Sequence, residues 1–172
     1  MRNSLILIGY MGSGKTSVGH RLARRLKLPF WDTDQLIEEK EGLSIGEIFS
    51  TQGEEAFRQM ETCCLRRLME DGSAGVISVG GGTPLREENR RLLKEMGRVY
   101  YLKAEPATIF ERVKSDDTRP LLQTENPRER IEEMLKQREP AYISGADRVI
   151  RVENKSVEEI AEEIVKHENT GH

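Results

Sequence analysis

The sequence predicts a three-layer α/β/α fold, in which helices cover both faces of a parallel sheet. Residues 4–8 form a short apolar run that is typical of a buried strand. Directly after it, residues 9–16 match the pattern G-x-x-x-x-G-K-[ST], and apolar residues at helical spacing follow. Short apolar runs then alternate with helical segments along the chain, as crossover connections between parallel strands require.

Composition fits one soluble domain over residues 1–172, since no repeat or linker divides the chain. The sequence has 36% hydrophobic and 33% charged residues, enough for a sizeable core. Its net charge of −3 argues against nucleic acid as the main partner. With no signal peptide and no apolar run of about 18 residues, we expect a cytoplasmic protein without a membrane partner. The adjacent Cys63 and Cys64 fit a reducing compartment and are expected to be packing residues.

Each predicted strand is a short apolar run bounded by glycine, proline or polar residues. The five strands are expected at residues 4–8, 28–32, 75–79, 98–102 and 148–152. The third strand leads directly into three glycines and is expected to be central in the sheet.

Helices are predicted where apolar residues recur every three or four positions. They are expected at residues 16–28, 35–41, 44–49, 54–69, 84–96, from 106 onward, 128–142 and 156–166. Ser44 with Glu47, and Ser156 with Glu159, have the spacing of capping boxes. Residues 115–127 are polar, contain prolines and lack any amphipathic period, so we expect a functional loop there.

The glycine-rich loop after the first strand has the features of a phosphate site. Its glycines let backbone N–H groups turn inward, and the following helix adds unpaired donors at its positive end. Lys15 is expected to contact the β- and γ-phosphates of a nucleoside triphosphate, and the Thr16 hydroxyl to bind Mg²⁺. A plain turn between strand and helix would need neither residue.

Asp32 and Asp34 follow the second strand, where α/β sheets place their ligand crevice. Beside a Mg²⁺–phosphate centre, one carboxylate could orient a metal-bound water, and the other could accept the hydrogen bond and proton of a substrate hydroxyl. The alternative is that both residues only end the strand and cap the next helix.

Gly80, Gly81 and Gly82 follow the predicted central strand. Three successive glycines indicate a close approach of backbone to a ligand, or else a tight turn. Many phosphate-loop proteins end this strand in an aspartate that helps to hold Mg²⁺. Since glycine stands here instead, Asp32 becomes the candidate for that role.

Three arginines are candidates for binding an anion, because a guanidinium can contact a carboxylate or phosphate with two hydrogen bonds. Arg58 is followed one turn later by Glu61, which could hold its guanidinium in place. Arg119 lies in the polar loop, and Arg138 lies near the end of its helix. A single arginine is more often only a surface residue.

Taken together, these motifs resemble the shikimate kinase family, within the nucleoside monophosphate kinase-like phosphate-loop proteins. The resemblance covers nearly the whole chain. Its motifs are the phosphate loop at 9–16, Asp32-Thr33-Asp34, Phe57-Arg58-x-x-Glu61, Gly80-Gly81-Gly82, Arg119-Pro120-Leu121-Leu122 and Arg138-x-Pro140-x-Tyr142.

The resemblance implies transfer of the γ-phosphoryl group of ATP to the 3-hydroxyl of shikimate, in the pathway to chorismate and aromatic amino acids. It also implies the strand order 2-3-1-4-5, a monomer, an acceptor-binding segment at about 33–61 and a mobile lid at about 115–127.

The resemblance assigns a role to each motif residue. Asp34, Lys15 and Arg119 are the implied catalytic residues, and Thr16 and Asp32 are implied to hold Mg²⁺. Shikimate is implied to contact Asp34, Arg58, Gly80, Gly81, Gly82 and Arg138. ATP is implied to contact Gly12, Ser13, Gly14, Lys15, Thr16, Ser17, Arg112, Arg119 and Asn154.

Two other functions stay open at this point. A related small-molecule kinase, such as a gluconate kinase, would also bind a carboxylate acceptor. A nucleotide-dependent switch would need no acceptor, but the chain lacks the Asn-Lys-x-Asp motif that reads guanine and has an arginine in a lid-like loop.

Overall fold

A computed structural model describes residues 3–114 and 124–171. Within these residues, a sheet of five strands has the order β2-β3-β1-β4-β5. All four strand pairings are parallel. The strands are β1 Ser4–Ile8, β2 Phe30–Asp32, β3 Val76–Ser78, β4 Gly97–Lys103 and β5 Arg148–Arg151. The predicted fold class and strand order are confirmed.

Eight α-helices surround the sheet in the described part of the chain. They are α1 Lys15–Leu26, α2 Thr33–Glu41, α3 Ile45–Gln52, α4 Glu54–Asp71, α5 Glu87–Met96, α6 Pro106–Val113, α7 Pro127–Gly145 and α8 Val157–Thr170. None of these helices is both long and apolar enough to cross a bilayer.

Several predicted helices differ in extent from those observed: those predicted at 44–49 and 156–166, for example, continue to Gln52 and Thr170. The segment predicted as one helix over 84–96 is a short 3₁₀ helix, Thr83–Leu85, followed by α5, because Arg86 is extended with φ −83° and ψ 130°. The segment predicted at 128–142 continues to Gly145 and contains Pro140. Most of the predicted lid, residues 115–123, lies outside the described residues.

The main core lies between the sheet and its two helical layers. Every residue of β1 is buried, as expected of the middle strand of a parallel sheet. Helix α1 packs against α8 in one layer, whereas α5 packs against α4 and α7 in the other. The carboxyl ends of the strands are thereby fixed at one edge of the sheet, where the predicted site residues lie.

A smaller core joins α2, α3 and α4. It consists of Ile37, Ile48 and Phe57, with partly buried side chains of the same segment packed around them. The capping prediction at Ser44 is confirmed in part, since its side chain accepts a hydrogen bond from the Glu47 N–H. This packing fixes the helices that carry Asp34 and Arg58 relative to each other.

Candidate functional site

Three loops meet where the neighbouring strands β1, β3 and β2 end. The phosphate loop follows β1, the glycine turn Gly80-Gly81-Gly82 follows β3, and Asp32 is the last residue of β2. A Cβ atom built on Gly81 would lie 3.6 Å from the carbonyl oxygen of Gly9. The glycine turn therefore lies against the phosphate loop, at the edge where open α/β sheets bind ligands.

The phosphate loop has the backbone that anion binding requires. Gly12 and Gly14 have φ of 75° and 97°, a left-handed conformation that favours glycine. Helix α1 begins at Lys15 without a side-chain N-cap. The first-turn N–H groups, including those of Thr16 and Ser17, cannot be paired within the helix, and they provide donors for an anion.

Lys15 and Ser13 stabilise the loop itself in this structure. The Lys15 ammonium donates to the carbonyl oxygens of Gly9 and Tyr10 at 2.7 and 3.0 Å. The Ser13 N–H donates to the Tyr10 carbonyl at 3.2 Å, and the Ser13 side chain is buried. The ammonium thus lies across the loop, close to where bound phosphate would approach.

Asp32 and Asp34 have different environments. Oδ1 of Asp32 accepts hydrogen bonds from the N–H groups of Asp34 and Gln35 at 3.0 and 3.3 Å. Asp32 therefore caps α2 through Oδ1, as expected if this residue ends the strand and caps the next helix. The second carboxylate oxygen, Oδ2, takes no part in the cap. Asp34 lies in the first turn of α2, and its buried Oδ1 has no hydrogen-bond partner among the described residues.

The surroundings of Asp34 favour its neutral form. Burial, together with the nearby carboxylates of Asp32 and Glu61, raises the pKa of Asp34 to about 6, while Lys15 acts in the opposite direction. A carboxyl group with this pKa is ionised at neutral pH but is a stronger proton acceptor than an exposed aspartate.

Arg58 is held in place by a buried acid, as its spacing from Glu61 predicted. Nη1 of Arg58 donates to both carboxylate oxygens of Glu61, each at 3.0 Å. The Glu61 side chain is only 1% exposed. Burial raises the pKa of Glu61, and the guanidinium of Arg58 partly offsets this effect. Glu61 therefore restricts Arg58 to one orientation on α4.

Each glycine of the turn lies against a different charged side chain. A Cβ built on Gly80 would lie 2.7 Å from Oδ1 of Asp34, and one built on Gly82 only 2.2 Å from Nη1 of Arg58. A Cβ on Gly81 would lie 3.3 Å from Nη1 of Arg138. Asp34, Arg58 and Arg138, which come from three helices, therefore converge on this turn. Side chains at Gly80 and Gly82 would push two of them away.

Two tyrosines complete the environment of Arg138, and sequence reasoning assigned a role to neither. The guanidinium carbon lies 5.5 Å from the centre of the Tyr10 ring. The buried Tyr142 hydroxyl donates to the Gly81 carbonyl at 2.7 Å. Tyr142 follows Arg138 by one helical turn, and this spacing is the feature of the sequence that could have indicated a shared position on the helix face.

The other residues predicted to contact ATP differ in whether they contact the phosphate loop. Nη1 of the exposed Arg112, on α6, donates to the Gly12 carbonyl at 3.0 Å, so this arginine does contact the phosphate loop. Asn154 is exposed after β5 in a left-handed conformation with φ 58°. Within the described ranges, no hydrogen bond joins Asn154 to the loop. Arg119 lies outside the described residues.

A separate groove of about 740 Å³ lies between α2 and α4, and Trp31, Lys40, Cys63 and Cys64 contribute to its walls. Both cysteines are free thiols. No predicted site residue lines this groove. The cluster of charged groups around the glycine turn, beside the phosphate loop, is therefore the candidate site.

Comparison with known proteins shows the family to which the chain belongs. A sequence model of the family described as "Shikimate kinase" matches residues 11–168. The chain is 46% identical to a shikimate kinase of Thermodesulfovibrio yellowstonii over 96% of its length and 94% of the relative's. It is 43% identical to one of Dictyoglomus turgidum, over 96% and 97% of the two chains.

A solved structure has the same fold over nearly the whole chain. The shikimate kinase from Acinetobacter baumannii in complex with shikimate superposes with a TM-score of 0.93 at 36% identity, over 99% of this chain and 95% of the other. The identity and the coverage exceed what a shared fold alone would explain. The chain belongs to the shikimate kinase family.

Proposed function

We propose that this chain transfers the γ-phosphoryl group of ATP to the 3-hydroxyl of shikimate, giving shikimate 3-phosphate and ADP. The observation that carries the proposal is the convergence of Asp34, Arg58 and Arg138 on the glycine turn beside the phosphate loop. A family relative of the same fold has been solved with shikimate, which supports the choice of acceptor.

The two arginines suit the acceptor's carboxylate. Shikimate is a small carboxylic acid with three hydroxyl groups, and two guanidinium groups can hold one carboxylate at defined angles. In our proposal, Arg58 and Arg138 bind this carboxylate and the glycine backbone forms the floor of the pocket. The opposite end of the ring, with its hydroxyls, then faces Asp34 and the phosphate loop.

Asp34 is proposed to bind the reacting hydroxyl and accept its proton as the bond to phosphorus forms. Its buried Oδ1 has no partner in the described part of the chain, which leaves an acceptor for that hydroxyl. Phosphoryl transfer depends mainly on positioning and charge stabilisation, so orientation by Asp34 would contribute even without full proton transfer.

The phosphate loop is proposed to bind the triphosphate of ATP through the N–H groups of residues 12–17, with Lys15 on the transferred group. Lys15 would then exchange its two loop carbonyls for phosphate oxygens. Arg112 is proposed to lie near the adenine, since it already contacts the loop, and Asn154 to border the same site. Arg119 is proposed to neutralise phosphoryl charge from the lid.

Mg²⁺ is the proposed metal. Thr16 and Asp32 would hold it together with nucleotide phosphates, and it would neutralise charge on them. Within residues 3–114 and 124–171, no cluster of three or more His, Cys, Asp or Glu side chains could hold a metal ion. Mg²⁺ bound with substrate phosphates needs only one or two carboxylates, so the hydroxyl and carboxylate oxygens available here fit it.

The broader assignments are also proposals. We propose one kinase domain over residues 1–172 that works as a monomer in the cytoplasm, without nucleic acid or membrane as a partner. The acceptor-binding segment is proposed at about 33–61 and the lid at about 115–127, whose closure would exclude water from the transfer.

The test is a coupled ADP-release assay with ATP and Mg²⁺, alone, with shikimate and with gluconate. Stimulation by shikimate only is the expected result. Stimulation by gluconate only would identify a related kinase, and ATP turnover without any acceptor would indicate a nucleotide-dependent switch. Either result would overturn the proposal.

A further inference from the structure

The two helices that carry the proposed carboxylate-binding arginines are linked by hydrogen bonds to the glycine turn or to the residue that follows it: α7 directly, and α4 through Asn89 of α5. This relationship involves three residues that the proposed chemistry does not use: Thr62, Asn89 and Tyr142. The inference drawn from it rests on the proposed function.

Helix α4 is connected to Thr83, the residue after the turn, through two buried side chains. The Thr62 hydroxyl lies 2.8 Å from Oδ1 of Asn89, and the Asn89 amide nitrogen donates to the Thr83 carbonyl at 2.9 Å. Thr62 is 6% exposed and Asn89 is 0% exposed. Thr83 directly follows Gly82, the glycine against which Arg58 lies.

Helix α7 is connected to the same turn by a single side chain. The Tyr142 hydroxyl donates to the Gly81 carbonyl at 2.7 Å, and Tyr142 is 0% exposed. Burial raises the pKa of Tyr142 to about 12, with Arg138 acting in the opposite direction, so the hydroxyl keeps its proton at neutral pH. Gly81 is also the glycine against which Arg138 lies.

The two connections have the same spacing. Thr62 follows Arg58 by four residues on α4, and Tyr142 follows Arg138 by four residues on α7. Residues four apart lie on the same face of a helix, so each connecting side chain lies one turn from its arginine and faces the same way. The two helices that carry the arginines are thereby linked to the backbone carbonyls of Thr83 and Gly81, two residues apart in the same loop.

We propose that Thr62 with Asn89, and Tyr142, are positioning residues that set the distance between the two guanidinium groups for the acceptor's carboxylate. They do not touch the acceptor. Among the described residues, none of these hydrogen bonds includes Lys15 or an N–H group of the first turn of α1, so we expect ATP binding to be little affected by their loss.

Substitutions that remove a hydroxyl and keep the shape of the side chain test this proposal. Thr62→Val and Tyr142→Phe should each raise KM for shikimate about three- to ten-fold, the effect of losing one neutral hydrogen bond, with KM for ATP unchanged. The effect should fall on KM more than on kcat, because the carboxylate is bound equally in the ground state and the transition state. Thr62→Ser restores the hydroxyl and should keep KM within about two-fold of the wild-type value.

Matched controls exist elsewhere in the chain. Thr170→Val removes a hydroxyl that donates to the carbonyl four residues earlier, and Tyr100→Phe removes a buried hydroxyl that contacts Glu168. Both should leave the two KM values unchanged. Circular dichroism and thermal unfolding of each variant then separate local positioning from loss of fold.

The initial rates are measured over a full matrix of shikimate and ATP concentrations. A rise in KM for shikimate alone, reversed in Thr62→Ser, supports the proposal. An equal rise for both substrates, or no rise in either variant, overturns it. The wild-type protein in the same assay separates a failure of the proposed function from a failure of the positioning proposal. If shikimate does not stimulate ADP release by the wild-type protein, the proposed function fails, irrespective of the variants.

Discussion

Glu61 accepts hydrogen bonds with both of its carboxylate oxygens from one guanidinium nitrogen of Arg58, each at 3.0 Å. The acid is buried on the same helix, so it fixes the arginine before any acceptor arrives. A preoriented guanidinium loses little conformational freedom when it binds a carboxylate.

Replacing Arg58 by alanine should therefore raise KM for shikimate by about 10²-fold or more, with little change in KM for ATP, because a charged hydrogen-bonded contact is lost. Steady-state rates at varied shikimate and varied ATP measure both values. Arg66→Ala is the control, since Arg66 is exposed on the same helix and, among the described residues, pairs with Glu88 at the surface. Equal losses for both substrates would mean that Arg58 is needed for the fold rather than for the acceptor.

Gly82→Ala should reproduce much of the Arg58→Ala effect. The new Cβ would lie 2.2 Å from Nη1 and 2.5 Å from the guanidinium carbon of Arg58, so the side chain would have to move. We expect weaker shikimate binding with ATP binding retained, which calorimetric titration with each ligand measures. In Gly46→Ala the nearest neighbour of the new Cβ is Ser44 Oγ at 3.9 Å, so binding should be normal. Wild-type affinity in Gly82→Ala would contradict the close packing described above.

Asp34→Asn should lower kcat by at least about 10²-fold, because an amide cannot accept the proton of the reacting hydroxyl. The amide is nearly the same size, so acceptor binding should change much less. Single-turnover measurements of phosphoryl transfer separate these effects. A higher KM for shikimate with an unchanged kcat would reduce Asp34 to a binding residue.

The same substitution should stabilise the protein at neutral pH. Burial raises the pKa of Asp34 from 3.8 to about 6, so the folded state retains a proton that the unfolded chain has already lost. Wild-type stability should therefore fall as pH rises from about 4 to about 6, and Asp34→Asn should escape this loss. Above pH 6.5 we expect a gain of about 1–3 kcal/mol in its free energy of unfolding.

Urea denaturation across this pH range, without nucleotide and in the presence of EDTA, measures the difference between the two proteins. The gain should shrink towards zero at pH 4. A gain of the same size at pH 4.5 and pH 7.5 would show that the charge of Asp34 is not its cause.

The features that were predictable from sequence are those in which neighbouring residues determine the structure. The phosphate loop needs glycines, a lysine and a helix start within eight positions, and all of these are adjacent in the chain. The cap at Asp32 and the restraint of Arg58 by Glu61 are also contacts within one helical turn. The alternation of strands and helices was enough to predict a parallel sheet.

Other features depend on tertiary packing, which periodicity does not report. The convergence of Arg58 and Arg138 arises from two helices that are far apart in sequence, and only family resemblance indicated it in advance. The break at Arg86 and the buried role of Asn89 had no local signal, since a polar residue in an amphipathic helix is usually exposed. The strand order likewise came from the resemblance.

The most direct test of the central claim is the identity of the phosphorylated product. Shikimate is incubated with ATP, Mg²⁺ and the protein, and the mixture is analysed by ³¹P and ¹H NMR, with Lys15→Ala as the inactive control. We expect one phosphate monoester coupled to the proton at carbon 3, formed in equal amount with ADP, and no ester with Lys15→Ala. ADP accompanied only by inorganic phosphate, or an ester on another hydroxyl, would contradict it.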